Sequence, residues 1–309
     1  MEYKNKKAVV TGGAGFIGSH LVDALVERGY EVSVIDNLSA GKKENVNKKA
    51  ILNVSDIRDY NSIASIIEGA KYVFHLAALP RVQYSIEYPF ETNEVNVGGT
   101  INVLKAAQNG GAQRFIYSAS SSAYGDQLKL PLTEDMTAMP KSPYGLQKYI
   151  GELYARMWSE IHNFSTISLR YFNIYGSRYN AEGAYALVIG NFLEQKKLGE
   201  PMTITGDGKQ TRDFTHVSDA VRANIMAAEH TTLFRGEVFN IGAGENFSVN
   251  QVAEFIGGPI KYIPARLEPH DTLADISKAR DILGWKPEVK LKEGIEELKK
   301  EAGLYSRNT

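Results

Sequence analysis

Gly12, Gly15 and Gly18 stand three apart between the apolar run Ala8-Val9-Val10 and a stretch whose apolar residues, Ile17, Leu21, Leu25 and Val26, recur at helical spacing. A strand that passes straight into a helix through such glycines has few folds open to it. The first glycine allows a tight turn, the second lets phosphates approach the backbone, and the third lets helix and strand pack closely. The unpaired amides and the positive end of the helix dipole then favour an anion. Asp36 closes the next apolar run, 31–35. A carboxylate there accepts hydrogen bonds from a ribose diol and repels an added phosphate. The pattern predicts a dinucleotide site that prefers NAD to NADP.

Strand and helix patterns alternate through the first half. Strands are expected at 7–10, 31–35, 51–54, 72–76, 114–118 and 165–170, and helices at 16–28, 60–67, 92–108 and 144–161. Such alternation predicts the α/β class, with a doubly wound parallel sheet. Beyond about residue 173 the regularity fades. Short strands at 202–204 and 238–241 mix there with helices at 185–195, 217–228, 249–255, 276–283 and 292–302. Residues 1–172 are therefore expected to form the dinucleotide-binding domain, with some later segments interleaved. Residues 173–309 are expected to form a smaller α/β substrate lobe.

Composition narrows the partners. A net charge of −1 leaves no basic surplus for nucleic acid or an anionic membrane. The absence of cysteine excludes disulfides, thiolate nucleophiles and cysteine-bound zinc, and fits a reducing cytoplasm. The polar start, 1–7, leads directly into the first strand, so no secretory leader is expected. No apolar run is long enough to span a membrane. The six histidines show no metal-ligand spacing, so no metal is expected; His75 and His216 read as structural residues.

The second strong signal is Tyr144-Gly145-Leu146-Gln147-Lys148 at the start of a helix. Residues four apart share a helix face. A free phenol, with a pKa near 10, is a poor base at neutral pH. A neighbouring ammonium and a positive nicotinamide ring both favour the phenolate and tune it toward general-base work. Upstream, Ser118-Ala119-Ser120-Ser121-Ser122-Ala123-Tyr124 ends the fifth strand. Ligands gather at the carboxyl ends of strands in such sheets. The serine hydroxyls there can hydrogen-bond a reacting oxygen.

These residues resemble the extended short-chain dehydrogenase/reductase family, and more narrowly its NAD-dependent nucleotide-sugar 4-epimerases. The resemblance covers essentially the whole chain. It also includes Asp36-Asn37, His75-Leu76-Ala77-Ala78, Asn96, Arg170-Tyr171-Phe172-Asn173-Ile174-Tyr175-Gly176, Gly206-Asp207-Gly208, Arg212-Asp213-Phe214 and 273–279. It implies Tyr144, Lys148, Ser120 and Ser122 as the catalytic set. It implies that NAD is held by Gly12, Gly15, Phe16, Ile17, Gly18, Asp36, Asn37, Leu38, Asp56, Ile57, Leu76, Ala77, Ala78, Asn96, Ser118, Tyr144, Lys148, Tyr171 and Phe172. A UDP-sugar would meet Ser120, Ser121, Ser122, Tyr144, Asn173, Val188, Thr203, Arg212, Arg266, Glu268 and Thr272, with the arginines on the diphosphate and Glu268 on the ribose. The resemblance further implies a homodimer built on the helices expected at 92–108 and 144–161.

Within this family, enzymes that dehydrate or decarboxylate sugars carry a carboxylate in the serine segment. No acid lies between Arg114 and Tyr124 here, which points to C4 epimerisation. The alternatives are a 4,6-dehydratase, a decarboxylase, a 4-reductase, a glucuronate 4-epimerase and a non-catalytic NAD(H) sensor. The segment from Tyr171 to Tyr185 looks most like that of UDP-N-acetylhexosamine epimerases. Thr272 stands where glucose-restricted relatives place a bulky Tyr, so the resemblance permits an acetamido sugar without excluding UDP-glucose. Two departures stand out. The stretch from Arg266 to Asp271 is one residue short of the family form, and Pro80 replaces a lysine found in some glucose epimerases.

Overall fold

The segment Arg114–Ser120 is buried along its whole length, side chains of both faces included. Only a sheet covered on both sides allows this. It is one of seven strands in a single parallel sheet: β1 (Lys7–Thr11), β2 (Glu31–Asp36), β3 (Ile51–Val54), β4 (Tyr72–His75), β5 (Arg114–Ser120), β6 (Thr166–Tyr171) and β7 (Arg235–Ile241). Their spatial order is β7-β6-β5-β4-β1-β2-β3. The structure, a computed structural model, describes residues 6–179, 188–264 and 270–304.

Helices α1 (Phe16–Glu27), α2 (Tyr60–Ile67), α3 (Thr100–Asn109), α4 (Pro143–His162) and α5 (Val217–Glu229) cover the sheet. On one face Leu21, Val22 and Leu25 of α1 and Ala220, Ile225 and Ala228 of α5 pack against Val10, Val34, Phe74 and Ile167. On the other, Ile63 and Ile67 of α2 and Val103 and Leu104 of α3 pack against Val9, Ile35, Val73 and Phe115. The winding reverses between β1 and β4, which opens a crevice at their carboxyl ends. Arg114 ties the two halves of the chain together. Its buried guanidinium donates to the carbonyls of Ala227 (2.6 Å), Ala228 (3.1 Å), His230 (3.0 Å) and Thr232 (2.5 Å), and so caps the C-terminal end of α5.

Several elements differ from the sequence expectation. The residues expected as a short strand at 238–241 are the end of β7, an edge strand of the main sheet paired with β6. Interleaved later segments were expected, but not which one, because chain order hides pairing across more than sixty residues. The helix expected at 92–108 is a longer helical run. It comprises Pro89–Asn93, a π-helical turn Glu94–Gly99, and α3. The π turn brings Gly99 against Ile57, where an added Cβ would lie 2.5 Å from Ile57 Cδ1. The helix expected at 276–283 is helical from 277 and widens into a π turn, Ala279–Leu283. The helix expected at 185–195 is described from Val188 and runs to Lys197.

A second, separate core gathers Ile189, Phe192 and Leu193, Met202 and Ile204, Val252 and Ile256, and Leu291, Ile295 and Leu298. It joins helices Val188–Lys197, Val249–Ile256 and Leu291–Glu301 to the parallel strand pair Met202–Thr205 and Ile260–Ile263. No helix among the described residues is long and apolar enough to cross a membrane.

Candidate active site

The glycine turn is shaped by its neighbours. Gly12 has φ +72°, and a Cβ there would meet Ala77 N at 2.7 Å. A Cβ on Gly18 would lie 2.1 Å from Gly12 O. At Gly15 the only atom within 4 Å of an added Cβ is Gly12 O, at 3.2 Å. The protein itself nearly tolerates a side chain at Gly15, so the bare backbone there leaves room for a ligand beside the first amides of α1. Phe16 and Ile17 follow in the first turn of that helix.

Asp36 ends β2. Its carboxylate accepts from Ala14 N (3.0 Å) and Leu38 N (2.8 Å), which pins the glycine turn to the strand end. Leu38 holds φ 58°, the left-handed region that Leu rarely adopts. Asn37 donates to Asp56 Oδ2 at 3.0 Å. Arg58, also bonded to Asp56, holds that carboxyl down to about 2. Ile57 beside it is buried.

After β4 come Leu76, Ala77 and Ala78. Leu76 N donates to Thr11 O and Ala77 N to Thr11 Oγ1. Asn96, in the π turn, grips Leu79 through both backbone groups, accepting from its N–H (2.8 Å) and donating to its carbonyl (3.1 Å). His75 is wedged between Thr11 (2.7 Å) and Thr100 (2.9 Å), and burial pushes its pKa down to about 3. Thr100 already donates its proton to Asn96 O, so Nε2–H of His75 donates to Thr100 and Nδ1 accepts from Thr11. The imidazole is a neutral tie between the glycine turn and the π turn.

Gly12, Gly15, Asp36, Leu76, Ala77 and Asn96 therefore gather around one crevice at the carboxyl ends of β1, β2 and β4. Its unfilled space at Gly15, free helix amides and terminal carboxylate fit a dinucleotide.

Helix α4 carries the reactive pair. Ser142 caps its start, accepting from Gly145 N at 3.1 Å, and Pro143 occupies the first turn. The Tyr144 amide donates instead to Ser85 Oγ at 3.0 Å, from the short helix Val82–Glu87. Lys148 is buried. Its Nζ donates to Ser118 O at 2.7 Å and lies 4.9 Å from the centroid of the Tyr117 ring. Burial draws its pKa down to about 8, with the carboxylate of Glu152 acting the other way.

Tyr144 is half-buried and faces Ser120. Burial pushes its pKa up, and the Ser120 hydroxyl opposes this. Ser120 closes β5 and donates to Ser122 Oγ at 3.1 Å across the turn Ser121–Ala123. Tyr171, at the end of β6, bonds Ser118 and accepts from Asn224 at 2.6 Å.

Beyond β6, Asn173, Arg212 and Thr272 come together. Asn173 Nδ2 donates to Asp213 O (2.9 Å) and approaches Thr272 Oγ1 (3.5 Å). Arg212 donates to His270 O at 3.0 Å. Val188 opens its helix, and Thr203 is joined to that helix through Gln195 at 2.8 Å. Arg266 and Glu268 lie outside the described residues, as does the stretch 180–187. No group of three or more His, Asp or Glu side chains among the described residues is placed to hold a metal ion.

Sequence reasoning gave no role to three residues. Glu152 continues the stripe Tyr144–Lys148 by another four positions, a polar run on a buried face that was there to be read. Its partner Arg170 sits on β6. Asp213, fully buried, accepts from the amides of Ala243, Gly244 and Ala274 and so holds Arg212 and Thr272 in register.

A glycine-bearing dinucleotide crevice beside a Tyr/Lys/Ser cluster defines an oxidoreductive enzyme of the Rossmann type. The NAD dependent epimerase/dehydratase family model matches residues 8–242, and the chain belongs to that family, whose cofactor is NAD. A UDP-glucose 4-epimerase from *Thermotoga maritima*, solved with UDP-glucose, is 38% identical with a TM-score of 0.89, covering 96% of this chain and 99% of that one. A UDP-N-acetylglucosamine 4-epimerase from Methanobrevibacter ruminantium, solved with UDP-N-acetylmuramic acid, is 36% identical with a TM-score of 0.90, covering 97% and 100%. A UDP-N-acetyl-alpha-D-glucosaminuronate decarboxylase from Bacillus cytotoxicus is 34% identical, covering 94% of this chain and 96% of its own length.

Proposed function

We propose that this member of the NAD-dependent UDP-sugar epimerase/dehydratase family inverts C4 of a UDP-hexose, either UDP-GlcNAc/UDP-GalNAc or UDP-Glc/UDP-Gal. The carrying observation is the acid-free end of β5. Ser120, bonded to Ser122, faces Tyr144 there, and the nearby buried carboxylate, Glu152, is bonded to Arg170. Elimination and decarboxylation need a further acid or base at the sugar, and this cluster offers none.

In this reading Gly12, Gly15, Phe16, Ile17 and Gly18 hold the pyrophosphate, Asp36, Asn37 and Leu38 a ribose, Asp56 and Ile57 the adenine, and Leu76, Ala77, Ala78, Asn96, Ser118 and Tyr171 the nicotinamide half. Bound NAD supplies the hydride acceptor, and later the donor, for C4. Tyr144 takes the O4 proton and returns it. Ser120 and Ser122 orient O4, Ser121 lines their turn, and Lys148 favours the phenolate by its charge. Asn173, Val188, Thr203, Arg212, Arg266 and Glu268 hold the UDP, and Thr272 leaves room for an acetamido group. Firm contacts to UDP with loose contacts to the hexose let the 4-keto sugar turn over without escaping.

The enzyme is further proposed to be a cytoplasmic homodimer. Phe90 (87% exposed), Leu146, Leu153 and Ile161 form an apolar strip on the run from Pro89 and on α4, which supports pairing of two copies.

The experiment is to offer UDP-glucose, UDP-GlcNAc and UDP-glucuronate without added cofactor and identify products by NMR, with Tyr144→Phe alongside. C4 epimers from a neutral hexose, with turnover in Tyr144→Phe lowered about 10²–10⁴-fold and NAD retained, support the reading. A pentose product, a 4-keto-6-deoxy product or full activity in Tyr144→Phe overturns it.

A further inference from the structure

Lys148 is caught in a buried charged cluster that the proposed reaction does not by itself explain. On its own helix it faces Tyr144 before it and Glu152 after it. From β4 it meets His75, from β5 Tyr117, and from β6 come Arg170 and Tyr171. Glu91 and Glu94, on the helical run beside α4, are exposed. The imidazole is neutral and the phenols carry no charge. The fully buried charges are thus Lys148 and Arg170 against Glu152, with the half-buried Glu134, bonded to Asn240 N, facing Arg170 from its other side. Lys148, Arg170 and Glu152 are nearly inaccessible to water, at 4%, 3% and 3% exposure.

Arg170 grips Glu152 with two hydrogen bonds, Nε to Oε1 at 2.9 Å and Nη2 to Oε2 at 2.7 Å. The guanidinium itself stacks over Tyr124 at 4.6 Å, and the Tyr124 hydroxyl donates to Asn240 at 2.6 Å. The carboxylate therefore has no rotational freedom and lies one helical turn from the lysine.

We propose that Glu152, locked by Arg170, is a positioning residue that keeps Lys148 an ammonium ion against Ser118 and beside Tyr144. An ammonium in so dry a site loses its proton unless a negative charge stands near it. The ammonium so held favours ionisation of the neighbouring Tyr144 by its charge. Arg170 is needed because an unheld buried carboxylate would itself take up a proton. This deepens the proposed epimerase reading and rests on it for the activity assay only.

The test compares the wild type with Glu152→Gln/Arg170→Gln, which removes both charges together and avoids stranding one, and with Arg170→Lys, which keeps them. Two properties are followed. One is the titration midpoint of the Lys148 ¹⁵Nζ resonance, assigned by its loss in Lys148→Met. The other is the alkaline limb of kcat. The double variant is expected to lower the midpoint by about one pH unit or more and move the limb with it, while KM stays put. Arg170→Lys is expected to leave both near the wild-type position. A pair that only fastens α4 to β6 lowers Tm without moving the midpoint, and that result overturns the inference. Wild-type protein that epimerises no UDP-hexose, yet shows the shifted midpoint, overturns the functional reading and leaves the charge support standing.

Discussion

Gly18→Ala tests the architecture of the cofactor crevice at one atom. The new methyl would sit 2.1 Å from Gly12 O, 2.9 Å from Gly12 C and 2.9 Å from Gly13 Cα. All three are backbone atoms, so no side chain can swing aside. Carbon contacts relax only at about 3.5 Å, and α1 must withdraw from the turn by about 1 Å. Overpacking of this kind costs about 1–3 kcal/mol, and Tm is expected to fall by about 2–4 °C for each kcal/mol. Withdrawal also carries away the helix amides that face the pyrophosphate. A hydrogen bond to a charged group is worth about 1.5–3 kcal/mol, so losing one lowers NAD affinity about tenfold or more.

The assay is calorimetry for Tm, together with NAD released on denaturation of the purified protein. Gly98→Ala is the control. It lies two residues from Asn96, has no left-handed φ, and an added Cβ there meets nothing within 4 Å. It should keep both Tm and NAD. A Gly18→Ala protein with wild-type Tm and wild-type NAD content would refute the close-approach reasoning.

Other outcomes follow from the same structure. His75, held neutral with a pKa near 3 against an ordinary 6.5, binds its proton more readily in the unfolded chain. Its contribution is full above about pH 6.5 and drains away as pH falls toward 3, by up to about 1.4 kcal/mol per pH unit; the acid slope of Tm should flatten in His75→Gln, and an unchanged slope counts against a buried neutral imidazole. Arg114→Met strips the cap from α5. Each buried carbonyl left without a donor costs about 1–3 kcal/mol, so urea unfolding should show a loss of about 3 kcal/mol or more. Thr272→Tyr narrows the space beside Asn173 and should lower kcat/KM for UDP-GlcNAc far more than for UDP-glucose; equal losses on both sugars would remove Thr272 from the specificity role.

The parts legible in the sequence were those whose physics is local. The glycine turn, the carboxylate closing β2 and the Tyr144/Lys148 spacing each depend on a few neighbouring residues with characteristic periods, and these carried the fold class and the cofactor. Tertiary structure alone decided the rest. Nothing near Val238 says that it pairs with Ser168, so β7 was not singled out among the later segments. No local pattern says that a π turn holding Asn96 sets Gly99 against Ile57. The expected pull of Lys148 on Tyr144 was a statement about spacing. The structure adds Ser118 O and Glu152 as partners of that ammonium, because charge in a dry interior answers to whatever lies nearest in space as well as along the chain.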